Sequence, residues 1–116
     1  MTSWDEDKIR ATNAATGGEK EVSPLRYDLL PVLPLREVAK LYGVGAAKYA
    51  AHNWRRGYEW SNSYSALQRH AQRFWSGESI DPQGGFHHLA AVVFHALALM
   101  EFEQTHPELD DRWQPS

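Results

Sequence analysis

The sequence predicts an all-α protein: a helical bundle of three main helices, completed by homo-oligomerisation, with an extended N-terminal arm. Apolar residues recur at three- and four-residue steps in three separate segments, which is the period of amphipathic helices. No segment shows a convincing alternation of apolar and polar residues, the pattern of a half-buried strand. The third segment is apolar on almost every side, so two partner helices of this length cannot cover it, and a second copy of the chain, first of all in a dimer, is the simplest solution.

The totals indicate one domain, residues 1–116, with a core of modest size. The chain has no cysteine, which excludes disulfides and thiolate metal sites and favours a cytoplasmic location. Its net charge of -3 offers duplex nucleic acid no general attraction. No run has the length of a membrane span, and the N-terminus has no apolar signal segment, so no membrane partner is expected.

The polar ends of the chain are predicted to lie outside the bundle. Residues 1–16 are expected to be mobile or peripheral, and so are residues 107–116. Three prolines between Ser23 and Pro34 forbid a long helix and favour an extended segment that lies across a surface.

The first predicted helix covers about Leu35–Tyr49, with Pro34 at its first position. Glu37 and Lys48 are eleven residues apart, close to three full turns, and therefore point to the same side. They are either a solvent-facing pair of charges, or Glu37 binds a cation while Lys48 contacts the phosphates that this cation also holds.

The second predicted helix covers about Ser61–Ser76, with Ser61 or Ser63 as its N-terminal cap and Gly77 as its C-terminal cap. His70 falls on its inner side, as a hydrogen-bonded core residue or as a ligand. Arg69 and Arg73 are four residues apart; they either grip an anion together or remain solvated.

The third predicted helix covers about Phe86–Gln104 and should be the most buried. His88 and His95 are seven residues apart, which puts them on one face but about 10 Å apart along the axis, too far to share one ion. His95 is expected to be a buried structural residue. His88 opens the helix beside a polar loop and is the better functional candidate.

That loop, SGESIDPQGGFHH, carries two carboxylates three residues apart, Glu78 and Asp81. Mg²⁺ and Mn²⁺ prefer carboxylate oxygens and keep several waters, so a few carboxylates and a phosphate suffice to bind them. The alternative is an ordinary turn in which Asp81 caps the chain before Pro82 and Glu78 is solvated.

The segment AHNWRRGYEW, between the first two helices, combines stacking surfaces, an amide and positive charge. Asn53, Trp54 and the neighbouring arginines are suited to hold a nucleotide base. Alternatively, the tryptophans pack over the end of the bundle.

Taken in order, these motifs resemble one family. The segments GGEKEVSPLRYDLLP, GAAKYAAHNWRRGYEW and LQRHAQRFWSGESIDPQGGFHHLAAVVFHALALMEF resemble the phage dATP/dGTP diphosphohydrolase N-terminal domain family over about Gly17 to Phe102. That family is similar in activity to the MazG-like all-α nucleoside triphosphate pyrophosphatases, which are oligomeric, use Mg²⁺ and cut between the α and β phosphates. The resemblance implies a phage enzyme of the bacterial host cytoplasm that acts on purine deoxynucleoside triphosphates and is linked to the synthesis of 2-aminoadenine nucleotides.

The resemblance also assigns roles to single residues. Glu37, Glu78 and Asp81 would bind Mg²⁺, or Mn²⁺ in its place, and would be catalytic together with Lys48 and His70. The substrate would contact the residues that match the remaining motifs: Arg26, Lys48, Tyr49, Asn53, Trp54, Arg69 and His88. The residue three after Glu37 is Lys40, where the wider superfamily has a second carboxylate, so one metal ligand is unaccounted for.

The leading hypothesis is therefore metal-dependent hydrolysis of dATP or dGTP to the monophosphate and pyrophosphate. The missing carboxylate motivates a second hypothesis, a non-catalytic protein that sequesters a nucleotide. A third is a His/Asp phosphohydrolase that uses His70, Asp81 and His88, although the sequence lacks the adjacent His-Asp pair of such enzymes.

Overall fold

The computed structural model describes residues 8–116, which divide into two compact units at Pro31. In the first unit, strands β1 (Ile9–Thr12) and β2 (Glu19–Val22) form an antiparallel hairpin in which Ile9 pairs with Val22 and Thr12 with Glu19. The Asn13 side chain closes the turn by accepting hydrogen bonds from the backbone of Ala15 and Thr16. A short 3₁₀ turn follows at Tyr27–Leu29.

The expectation that the chain contains no strand was wrong. The hairpin escapes the alternation test because seven of its eight strand residues are exposed, so neither face has to be apolar. Whether the ends of the chain are mobile remains a prediction, and residues 1–7 lie outside the described part of the chain.

The second unit confirms the three main helices: α1 (Val32–Lys48), α2 (Trp60–Trp75) and α3 (His88–Thr105), with α3 in contact with both others. Helix α1 begins three residues before its predicted start, because Pro34 is tolerated anywhere in the first turn, where backbone N–H groups have no helical partner. None of the helices in residues 8–116 is long and apolar enough to cross a membrane.

Helix α2 ends as predicted but begins differently. Gly77, at φ 109°, donates to the Phe74 carbonyl, while the Glu78 N–H donates to Arg73, which is a Schellman motif. At the other end, neither Ser61 nor Ser63 is the N-cap: Glu59 holds that position without a side-chain hydrogen bond, and Ser63 is fully buried.

The core of this unit lies between α2 and α3. Trp60, Ala98 and Phe102 are buried together, and Leu109 from the C-terminal segment packs against them. That segment, predicted to be peripheral, therefore contributes to the core through a 3₁₀ turn at Pro107–Leu109. It also supplies the missing cap of α2, because the Asp111 carboxylate accepts hydrogen bonds from the Ser61 backbone N–H (2.9 Å) and from its hydroxyl.

Asp111→Ala is expected to lower the urea midpoint of unfolding at neutral pH, because the first turn of α2 loses its acceptor. The hydrogen bond from Ser61 holds the pKa of Asp111 below its ordinary value. A depressed carboxyl pKa stabilises the fold above the unfolded-state pKa, so this contribution is lost as the pH falls below about 4. The midpoints of wild type and variant should therefore converge on acidification, and a difference that persists at low pH would contradict this role.

Candidate functional site

The loop between α2 and α3 is an ordered structure closed by backbone hydrogen bonds. Ile80 and His87 form an antiparallel bridge, and the His88 N–H donates to the Ser79 carbonyl at 2.9 Å. Gly84 leaves room for Phe86, whose ring would overlap a Cβ at that position. Phe86 is thereby free to lie edge-on to the His70 ring, with 5.8 Å between ring centroids. The loop and α2 thus meet at His70.

A chain of hydrogen bonds links α2, α3 and the loop. His70 Nδ1 lies 2.8 Å from His88 Nδ1, and His88 Nε2 lies 2.7 Å from Glu78 Oε1. The carboxylate accepts, so His88 donates from Nε2. In neutral His88, Nδ1 then carries the lone pair and accepts the Nδ1 proton of His70.

Asp81 is the third group at this point, with 6% of its surface exposed. Its Oδ1 accepts from the Gln83 N–H at 2.9 Å, and this hydrogen bond lowers the pKa of Asp81. His70, Asp81 and His88 each offer one ligand atom, and these atoms all lie within 4.8 Å of one another. We refer to these three residues as the His–Asp cluster. It is the set that the third hypothesis named.

A second pair of groups adjoins the cluster. The His95 ring stacks against His70 at 6.4 Å, and its Nδ1 lies 2.9 Å from the Ser63 hydroxyl, which in turn lies 2.6 Å from the Tyr58 hydroxyl. Burial lowers the pKa of His95 to about 4, and it also lowers the pKa of His70, with Arg69 contributing in both cases. Both imidazoles are therefore neutral at pH 7, and Arg69 places positive charge near both.

His95 also lines an aromatic pocket of about 540 Å³. Tyr42, Trp54 and Phe94 form its packed wall, with Tyr42 and Phe94 ring centroids 4.9 Å apart. Tyr49 and Asn53 lie on its open side. The size of this pocket is that of a typical small-molecule site, and its aromatic lining suits a ligand with a planar ring.

Trp54 contacts both the core and the aromatic pocket. Its ring packs toward the core, 6.1 Å from Phe102, and it also lines the pocket. Arg55 lies over this indole at 4.7 Å and binds both oxygens of Glu101 at 2.7 Å. The 3₁₀ turn that carries Asn53 and Trp54 is thus tied to α3.

The predicted site residues are only partly brought together. Asp81, His70 and His88 converge with Glu78, whereas Tyr49, Asn53 and Trp54 converge at the pocket. Glu37, on α1, forms an ion pair with Lys40 at 3.1 Å and is not a member of the His–Asp cluster.

The remaining predicted cations lie elsewhere. Lys48 is in the last turn of α1, with its ammonium over the Tyr49 ring at 5.3 Å. Arg26 belongs to the first unit, where Asp28 binds its guanidinium through two hydrogen bonds.

Several residues of the site were not predicted. His87, which had no assigned role, caps α3 by accepting from the Leu89 N–H at 3.0 Å. Tyr42 and Phe94 were expected only as apolar helix positions, and the pairing of Ser63 with His95 joins residues 32 positions apart. The sequence contains one signal for this pairing: His95 lies within an apolar helix, which predicts a polar partner on the facing helix.

Comparison with known proteins gives one match. A family model described as dATP/dGTP diphosphohydrolase, N-terminal, matches residues 14–112, which include the whole of the His–Asp cluster and the aromatic pocket. No curated protein and no solved structure matches this chain significantly.

Proposed function

The chain belongs to the family of dATP/dGTP diphosphohydrolase N-terminal domains, and on this basis we propose that it hydrolyses purine deoxynucleoside triphosphates to the monophosphate and pyrophosphate. The proposal includes dependence on a divalent cation and a place among the MazG-like pyrophosphatases. It also includes a phage origin, a role in the nucleotide pool that supports 2-aminoadenine synthesis, and action in the cytoplasm of the bacterial host.

One observation supports this proposal above the others: an aromatic pocket large enough for a nucleoside adjoins a buried group of side chains of metal-ligating types. His95 lines the pocket and stacks on His70 of the His–Asp cluster. If a purine were held against Tyr49 and Trp54, its phosphates would extend out of the aromatic pocket, toward the polar side chains of the neighbouring His–Asp cluster. Base stacking and phosphate chemistry would then occupy adjacent parts of one site.

In the proposed reaction, water attacks the α phosphorus, a new P–O bond forms, and the bond to the bridging oxygen of the β phosphate breaks. Pyrophosphate leaves and the monophosphate retains the water oxygen. Arg69, whose positive charge lies near His70 and His95, would offset the phosphate charge, and the resemblance adds Lys48 to this role. Glu78 accepts from His88 through Oε1, and its second oxygen is able to accept a proton from water.

The carboxylates of one chain do not form the three-carboxylate Mg²⁺ site that the resemblance implies. Asp81 is buried with two histidines, whereas Glu37 is paired with Lys40. Proteins commonly bind Mg²⁺ through one or two carboxylates and the substrate phosphates. We therefore expect the triphosphate to enter as its Mg²⁺ complex, with the exposed Glu78 and the half-buried Glu37 as the carboxylates available to it. Bound there, Mg²⁺ would neutralise phosphate charge.

The test is to incubate the purified protein with each deoxynucleoside triphosphate and Mg²⁺, and to measure monophosphate and pyrophosphate. Equal amounts of both products from dATP or dGTP are expected. Folded protein that turns over none of the triphosphates would refute hydrolysis.

The separation of Glu37 from Asp81 favours a second candidate function, sequestration of a nucleotide without turnover. The same protein, titrated with dATP by calorimetry, distinguishes the two. Tight binding without product supports sequestration, and product formation excludes it.

Homo-oligomerisation is part of the proposal. Leu89, Val93, Leu97 and Met100 recur along α3 at helical spacing and are between 37% and 66% exposed. Together they form an apolar stripe, the type of surface that a second copy of the chain would cover. Light scattering on the purified protein measures the oligomeric state directly.

Tyr49→Ala is expected to raise KM for dATP by about 10-fold with little change in kcat, because stacking on a base contributes about 1–3 kcal/mol. Tyr49 is 66% exposed, so its loss should leave the fold intact. Tyr64→Ala is the matched control, since Tyr64 is 57% exposed and lies outside this pocket. Equal KM values for the two variants would remove Tyr49 from the base site.

A further inference from the structure

We propose that His70, Asp81 and His88 bind a divalent transition-metal ion such as Zn²⁺ or Fe²⁺, and that Glu78 is a positioning residue that keeps His88 in its ligating orientation. This site is distinct from the Mg²⁺ that accompanies the triphosphate. The proposal of this metal site is argued from the geometry of the cluster and does not require that the protein hydrolyses nucleotides.

The distances within the cluster require only small movements. The ligand atoms lie within 4.8 Å of one another, and the two Nδ1 atoms face each other at 2.8 Å. Metal–ligand bonds of about 2.0–2.2 Å place neighbouring ligand atoms about 3 Å apart, so changes of up to about 2 Å in these separations suffice. The hydrogen bond between the rings is exchanged for two metal–nitrogen bonds, while the His70 proton moves to Nε2.

Glu78 supplies an independent indication. A histidine that binds a metal commonly donates its other ring N–H to a carboxylate, which fixes both the tautomer and the orientation of the ring. His88 does this through Nε2 at 2.7 Å from Glu78 Oε1, and its Nδ1 is thereby turned toward His70. A glutamate at the end of a helix can be satisfied by water alone, so its hydrogen bond to the fully buried His88 indicates a role in fixing that ring.

Burial also favours a cation. His88 is 0% exposed, His70 is 7% exposed, and Asp81, whose ligand atom lies within 4.8 Å of theirs, is 6% exposed. A carboxylate out of water is costly unless positive charge or hydrogen bonds offset it, and the hydrogen bond that Asp81 accepts comes from the loop backbone at Gln83. A bound divalent ion would supply that charge at the place where the three side chains meet.

The ligand types decide which ion. Mg²⁺ prefers an oxygen environment and keeps several waters, which a buried pair of imidazoles does not provide. Two imidazoles and one carboxylate suit the borderline transition metals, and three protein ligands leave coordination positions open. The cluster therefore selects against Mg²⁺.

Chelator-treated full-length protein is titrated with Co²⁺ in the absence of nucleotide, and binding is followed by the visible absorption of the protein-bound Co²⁺. We expect saturation at about one Co²⁺ per chain, displacement by Zn²⁺ and no displacement by millimolar Mg²⁺. Glu78→Gln should weaken Co²⁺ binding by about 10–100-fold, and His88→Gln by at least as much. Bound metal should also raise the melting temperature of the wild type.

His87→Asn is the matched control, because it removes an adjacent imidazole and keeps a good helix cap; its Co²⁺ affinity should equal that of the wild type. Circular dichroism establishes folding, and if His88→Gln is unfolded, the exposed position Glu78 still decides the outcome. Unchanged Co²⁺ affinity in folded Glu78→Gln, absence of Co²⁺ binding by the wild type, or equal competition by Mg²⁺ would each overturn the proposal. Because no nucleotide is present, these outcomes are independent of whether the protein hydrolyses dATP.

Discussion

Replacing Asp81 by asparagine is expected to lower kcat/KM for dATP by about 100-fold or more, because Asp81 is a proposed metal ligand and the loss of even an outer partner of a metal site costs about 10–100-fold. Asparagine retains an oxygen that accepts from the Gln83 N–H, so the loop keeps its turn. Only the negative charge beside His70 and His88 is removed. Initial rates of pyrophosphate release, measured on protein with an unchanged circular dichroism spectrum, give the result.

Asp110→Asn is the control for this substitution. Asp110 undergoes the same chemical change, but it lies in the C-terminal segment, where it binds Arg112 through both carboxylate oxygens. Its variant should retain wild-type kcat/KM. If Asp81→Asn were as active as Asp110→Asn, the His–Asp cluster would have no part in turnover, and the proposed hydrolysis would depend on Glu37 and Glu78 without it.

The loop SGESIDPQGGFHH shows how far the sequence reaches. Glu78, Asp81 and His88 could be predicted as neighbours because a short loop with a proline and glycines keeps them close. The position of His70 could not be predicted to the same degree, since it depends on which face of α2 packs against α3. That packing pairs the two Nδ1 atoms at 2.8 Å and turns the predicted carboxylate site into one with two imidazoles.

Helix periodicity predicted more of the fold than of the site. The three helices could be located because each has an apolar stripe or an apolar run, and Gly77 marked the end of α2. The strands of the β1–β2 hairpin are four residues long and almost entirely exposed, so they leave no such signal. The aromatic pocket combines Tyr42 of α1 with Phe94 of α3, and the contact between them is a property of the packed helices alone.

Phe102→Ala is expected to reduce the free energy of unfolding by about 3–5 kcal/mol, the range for large-to-alanine changes of buried aromatic residues. Phe102 is 0% exposed and lies edge-on to Tyr58 at 5.1 Å and to His106 at 5.6 Å. The cavity cannot collapse easily, because Trp54 on one side is tied to α3 through Arg55 and Glu101. Urea unfolding followed by tryptophan fluorescence measures the loss.

Gln104→Ala, two residues later on α3, provides the comparison, since Gln104 is exposed and alanine is a good helix former; its effect should stay within about 0.5 kcal/mol. For a domain of this size, the Phe102 change corresponds to a fall in melting temperature of roughly 12 °C or more. Phe102 packs against Tyr58, which also lies in the hydrogen-bond chain through Ser63 to His95. If Phe102→Ala reduced the free energy of unfolding by less than about 1 kcal/mol, the core that stabilises the fold would lie elsewhere than between α2 and α3, contrary to the burial of Phe102.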